Sequence, residues 1–114
     1  MEKLVRDKIP EIMEAAGVKC SYRIAKDDED FRPFAVDKIY EELGEFGIAT
    51  WPSNPEHSKE ALANEAADIL ATLINVAKLN SGIEITVDEV AEAYKKKAEE
   101  RGLFDKRIIA TFED

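Results

Sequence analysis

The chain has 114 residues and a formal net charge of −9, from 25 acidic against 16 basic side chains. A chain this short builds one hydrophobic core, so a single domain over residues 1–114 is expected. The 45% share of hydrophobic residues argues against disorder, and the acidic balance disfavours a general nucleic-acid binder, which needs a basic surface. A free polyphosphate would be repelled as well unless a cation mediates. One cysteine, Cys20, cannot form an intramolecular disulfide, which is compatible with a reducing compartment. No apolar run reaches the roughly 18 residues a bilayer span needs, and Met1-Glu2-Lys3-Leu4-Val5-Arg6 lacks a signal-peptide core. A soluble, cytoplasmic protein with neither a membrane nor a nucleic-acid partner is the expectation.

In chain order, a short first helix is expected over residues 7–16, with Pro10 tolerated in the first turn and Gly17 at the stop. Val18, Cys20, Tyr22 and Ile24 alternate with polar residues, a short strand signal. A charged turn follows at 26–30. A second helix is expected over 33–49, with Val36, Ile39, Tyr40, Leu43 and Phe46 at helical spacing. Residues 51–58, with two prolines, form the clearest loop. A third helix should run over 58–80 and end at Ser81-Gly82. Thr86-Val87-Asp88-Glu89 has the form of a capping box opening a fourth helix, which stops at Arg101-Gly102. Ile108, Ile109 and Phe112 lie in a tail that could add a short strand beside residues 18–24. The fold expected is all-α: an antiparallel bundle of about four helices with short strand-like terminal segments.

The third helix carries the main chemical signal. Leu62, Ala66, Ile69, Leu70, Leu73, Ile74, Val76 and Ala77 cover most of its circumference at about 100° per residue, the pattern of a buried helix. Glu65, Asp68, Thr72 and Asn75 nevertheless fall on one narrow stripe. Glu65 and Asp68 are neighbours on that face, and two like charges on a buried helix require something positive opposite them or a proton on one. On the second helix, Glu42 and Glu45 are spaced alike. Glu42 projects about 40° from Phe46, at the border of the apolar face; Glu45 lies one step further out, and Glu41 points more toward solvent.

Packed antiparallel, the two helices would bring four carboxylates together, a strongly self-repelling set without a cation. The set is all oxygen, which suits Mg²⁺ or Mn²⁺. Zinc prefers nitrogen or sulfur, and the Glu-x-x-His pairs of a di-iron bundle are missing. Each pair alone is also what a solvated face of an acidic helix looks like; two pairs on successive helices point to a shared ion. Thr72 and Asn75 serve equally as polar filler.

The pattern Glu42-Leu43-Gly44-Glu45, a loop, then Glu65-Ala66-Ala67-Asp68 resembles the MazG-like all-α nucleoside triphosphate pyrophosphohydrolase superfamily. The opening Lys3-Leu4-Val5-Arg6-Asp7-Lys8-Ile9-Pro10-Glu11 and the close, Lys97 through Arg101-Gly102-Leu103-Phe104-Asp105-Lys106-Arg107, are similar to its small house-cleaning and phosphoribosyl-ATP pyrophosphohydrolase-like branch. The resemblance implies a helical homodimer or homotetramer. It implies Mg²⁺ held by Glu42, Glu45, Glu65 and Asp68, and hydrolysis of a nucleoside triphosphate to monophosphate and pyrophosphate. The loop at Trp51-Pro52-Ser53-Asn54-Pro55 matches no part of that pattern.

Such a reaction needs metal to neutralise the polyphosphate and activate water, a carboxylate to orient or deprotonate that water, and cations on the departing pyrophosphate. Glu42 or Glu45 is the candidate base. Lys97 and Arg101, one turn apart, Lys106, Arg107, Lys3 and Arg6 are the candidate cations, and Asn75 a further substrate contact. Arg101 is equally explained as a cation at a helix C-terminus, and any surface lysine as a solvated charge. Trp51 and Phe104 could stack on a base or simply pack. His57 reads as a loop residue without a catalytic role, and Cys20 as a small core residue. Two other functions fit the same residues: a catalytically silent acidic oligomeric scaffold, and a phosphoribosyl-ATP pyrophosphohydrolase.

Overall fold

The computed structural model describes residues 1–55 and 57–113. Helices α1 (Ile9–Ala15), α2 (Asp28–Ala49), α3 (Lys59–Ser81) and α4 (Val87–Arg101) follow in order, and no strand occurs among the described residues. The chain is therefore all-α. It divides into two compact units, Met1–Glu84 and Ile85–Asp114.

In the first unit, α2 and α3 form the principal helix pair. Their direction follows from three pairs of contacts. Arg32 Nε donates to Asn80 Oδ1 at 3.2 Å near one end, Glu42 meets Glu65 and Asp68 midway, and Ile48 and Ala49 share a cavity wall with Ala61 near the loop. Numbers rising on α2 meet numbers falling on α3, so the two helices are antiparallel. Ala35 is buried on α2, where its small side chain lets the helices approach.

The local signals for α3 and α4 act as the residues dictate. Ser58 caps α3, its hydroxyl accepting from the Ala61 N–H at 3.1 Å. Gly82, at φ 75°, closes it in the left-handed region that favours glycine. In the second unit the Thr86–Glu89 capping box is complete: Thr86 Oγ1 accepts from the Glu89 N–H at 3.1 Å, and Glu89 Oε1 accepts from the Thr86 N–H at 3.0 Å.

Helix α2 begins earlier than residue 33. Asp27 is its cap, Oδ1 accepting from the Asp30 N–H at 2.9 Å, and Asp28, Glu29 and Asp30 set three acidic groups in the first turn, where the helix dipole favours negative charge. Pro33 lies inside the helix. It lacks the N–H that would bond one turn back and its ring crowds the Glu29 carbonyl, yet the helix continues through it to Ala49.

The expected strands do not form at 18–24 or at 108–112. Alternation alone gives no ladder: a strand needs a second extended segment to pair with, and neither segment pairs with another strand among the described residues. Cys20 is exposed and is not a core residue. Helix α3 is mostly half-buried rather than buried, with Leu73 exposed, because its apolar circumference is wider than the face that α2 covers.

Candidate metal centre

Glu42 lies at the heart of the α2–α3 interface and is buried, at 4% exposure. Burying a carboxylate is costly unless it is paired. One of its oxygens is paired: the Lys38 ammonium, one turn earlier on α2, lies 3.1 Å from Oε1. The other, Oε2, is buried without a hydrogen-bond partner, and so is Glu65 Oε2 across the interface.

Ligand atoms of Glu42, Glu65 and Asp68 lie within 4.8 Å of one another, and so do those of Glu41, Glu42 and Glu45. Glu42 belongs to both groups. The structure thus brings the four expected carboxylates into one neighbourhood and adds Glu41. The relative placing of two of them differs from the helical projection. Glu41 is half-buried and Glu45 exposed, because Lys38 and Lys3 draw Glu41 inward. Lys3 Nζ donates to Glu41 Oε1 at 2.9 Å and Lys38 Nζ to Glu41 Oε2 at 3.4 Å.

The electrostatics follow from this crowding. The Lys3 ammonium, with Lys38 beside it, holds Glu41 below the usual carboxylate range, and Glu41 in turn raises Lys3. Partial loss of hydration, then repulsion by Glu42, Glu41 and Glu65, pushes Glu45 above it. Asp68 is met by Arg6, whose Nη2 donates to Oδ1 at 2.5 Å. Five carboxylates here face three cations, Lys3, Arg6 and Lys38, an excess of two negative charges. Together with two orphaned buried oxygens and an all-oxygen donor set, that excess fits a hard divalent cation.

Lys38 was not among the sequence candidates. Its signal was the spacing to Glu42, which places an ammonium and a carboxylate on one helix face. Lys3 and Arg6, chosen as cations for a ligand, contact the carboxylates directly. Asn75 is half-buried on α3. The Thr72 hydroxyl donates to the Ile69 carbonyl at 2.7 Å, which makes it polar filler within its own helix. Lys97, Arg101, Lys106 and Arg107 belong to the second unit and are exposed there.

Beside the carboxylates, Glu45, Ile48, Ala49, Asn54, Ala61 and Glu65 line a cavity of about 230 Å³. The loop closing its end is held by Asn54, whose side-chain amide donates to the Ile48 carbonyl at 3.1 Å, alongside the Trp51 N–H that donates to the same oxygen at 3.1 Å. Trp51 and Phe104 are exposed. The His57 N–H donates to the Asn54 carbonyl at 3.3 Å. No described helix is long and apolar enough to cross a membrane. No family model, no curated protein and no solved structure matches this chain.

Proposed function

We propose that this chain is a cytoplasmic, divalent-metal-dependent hydrolase that converts a nucleoside triphosphate to the monophosphate and pyrophosphate, as the MazG-like resemblance implies. The observation that supports it is the meeting of Glu42, Glu65 and Asp68 within 4.8 Å, with a buried unpartnered oxygen on each of the two glutamates. Mg²⁺ is the proposed ion, with Mn²⁺ as a substitute of like preference. Nucleic acid and membranes are not proposed partners.

A divalent ion would be held by Glu42, Glu65 and Asp68, and would supply neutralisation of polyphosphate charge and activation of water. Glu45, water-accessible and on the cavity wall beside Glu65, takes the proton of the attacking water. The water oxygen bonds to the α-phosphorus as the α–β phosphoanhydride bond breaks, and pyrophosphate leaves with that electron pair. Lys3 and Arg6 stand close enough to the carboxylates to stabilise phosphate charge. Asn75, half-buried on α3, is a further proposed substrate contact within the first unit. A homodimer or homotetramer would cover the exposed apolar residues of the helix pair, Tyr40, Leu43, Ile48 and Leu73.

The test is a pyrophosphate-release screen over normal and damaged nucleoside triphosphates and phosphoribosyl-ATP, with Mg²⁺ and with Mn²⁺. Pyrophosphate from a triphosphate, lost in Glu65→Ala, supports the proposal. Release from phosphoribosyl-ATP alone moves the substrate to that compound. No release from any member, with oligomers intact, leaves the acidic scaffold.

A further inference from the structure

Three cations already neutralise part of the acidic cluster, and they differ in how freely they can leave it. Lys38 is on a helix and nearly enclosed, its side chain 16% exposed. Lys3 pairs with Glu41, outside the Glu42–Glu65–Asp68 group. Arg6 is different on both counts. It pairs with Asp68, a member of that group, and its side chain is 62% exposed on a non-helical segment.

A divalent ion takes carboxylate oxygens at about 2.0–2.6 Å. With the Arg6 guanidinium 2.5 Å from Asp68 Oδ1, an ion bound to the same oxygen would stand no more than about 5 Å from that nitrogen. Two positive groups that close repel in a partly dry site. The backbone around Arg6 need not move: Leu4 and Val5 are half-buried, and Glu2 is tied to Arg23 at 2.8 Å. A change in the arginine side chain alone suffices.

We infer that Arg6 is the resident counter-ion of Asp68, and that a divalent cation entering the Glu42–Glu65–Asp68 group displaces its guanidinium to the rim of the site. This rests on the metal reading above and adds a function for the N-terminal segment. It pairs the cluster's Asp68 until an ion enters and then offers a free guanidinium to the anionic oxygens of whatever the metal binds. Arg6 is on this account a positioning residue whose two partners are used in turn.

The test measures Mn²⁺ affinity by isothermal titration for the parent chain, for Arg6→Gln and for Lys78→Gln. Lys78 pairs with Glu84 at 2.6 Å and lies ten residues beyond Asp68 on α3, about 15 Å along the helix. It therefore removes an equal charge from beyond the screening length of about 8 Å at physiological salt. Arg6→Gln should bind Mn²⁺ roughly two- to fivefold more tightly, the range of a partly exposed ion pair, with Lys78→Gln unchanged. In the parent chain the side-chain Nε–H resonance of Arg6 should shift on adding Mg²⁺. Equal Mn²⁺ affinity in the parent and Arg6→Gln, an equal gain in both variants, or an Arg6 resonance indifferent to Mg²⁺ overturns the inference while leaving the metal centre standing. Failure of all three proteins to bind Mn²⁺ overturns the metal centre and the inference with it.

Discussion

Lys38 and Glu42 stand one helical turn apart on α2, and the Lys38 ammonium lies 3.1 Å from the Glu42 carboxylate, with both side chains largely withdrawn from water. This pair makes a buried carboxylate at Glu42 tolerable. Removing one partner of such a pair leaves an uncompensated charge in a poorly hydrated place. Lys38→Met should therefore lower stability by roughly 3 kcal/mol in urea unfolding at neutral pH, and Mg²⁺ should recover part of the loss. A variant as stable as the parent would mean that solvent already screens Glu42.

The cation response of the parent chain is the second expectation. Mg²⁺ at a hundredfold excess over its dissociation constant stabilises a native state by about 2.7 kcal/mol, or a rise in Tm of about 10 °C for a domain of this size. Glu65→Ala combined with Asp68→Ala should melt at the same temperature with and without Mg²⁺. A parent chain indifferent to Mg²⁺ would favour the scaffold.

A third expectation concerns acid. The Arg23 guanidinium, with the Lys26 N–H, holds Asp30 down to about 2 from its ordinary 3.8. The folded value is the lower one, so the pair's contribution is present above about pH 4 and is lost as the pH falls from there toward 2. Asp30→Asn should remove this part of the acid response. It is read by following the Arg23 side-chain resonances through the titration, because that guanidinium also holds Glu2 at 2.8 Å and lies over the Phe34 ring.

Within the second unit, Thr86→Ala breaks the capping box at the start of α4. The loss should be about 1 kcal/mol, seen as faster amide exchange in the first turn of α4. Exchange confined to its parent rate would show the cap to be redundant.

The proposed oligomer makes its own prediction. Leu43→Glu with Leu73→Glu places charge on the exposed apolar part of α2 and α3. Sedimentation should show the parent as a dimer or tetramer and the variant as a folded monomer. A monomeric parent removes that part of the proposal.

Much of the fold was legible because its signals are local. Ser58, the Thr86–Glu89 box, Gly82 and Gly102 each act on backbone groups a few residues away, and each ends or begins a helix where its chemistry says it should. The start of α2 was missed because Pro33 reads as a first-turn residue, whereas the Asp27 cap and three acids after it carry the helix through the proline. The strand reading at 18–24 failed for the opposite reason: an alternating pattern is only half of a strand, and the other half is a partner elsewhere in the chain.

The candidate site divides in the same way. The spacing of Glu42 with Glu45 and of Glu65 with Asp68 is a property of the sequence, since the helical repeat alone puts each pair on one face. What lies opposite each carboxylate was decided in three dimensions. Arg6 reaches Asp68 across 62 residues and Lys3 reaches Glu41 across 38, and Glu41 is met by Lys3 and Lys38 together. Helical periodicity specifies direction around one axis; only the packing of α2 on α3, with the N-terminal segment beside them, sets which charges meet around the buried Glu42.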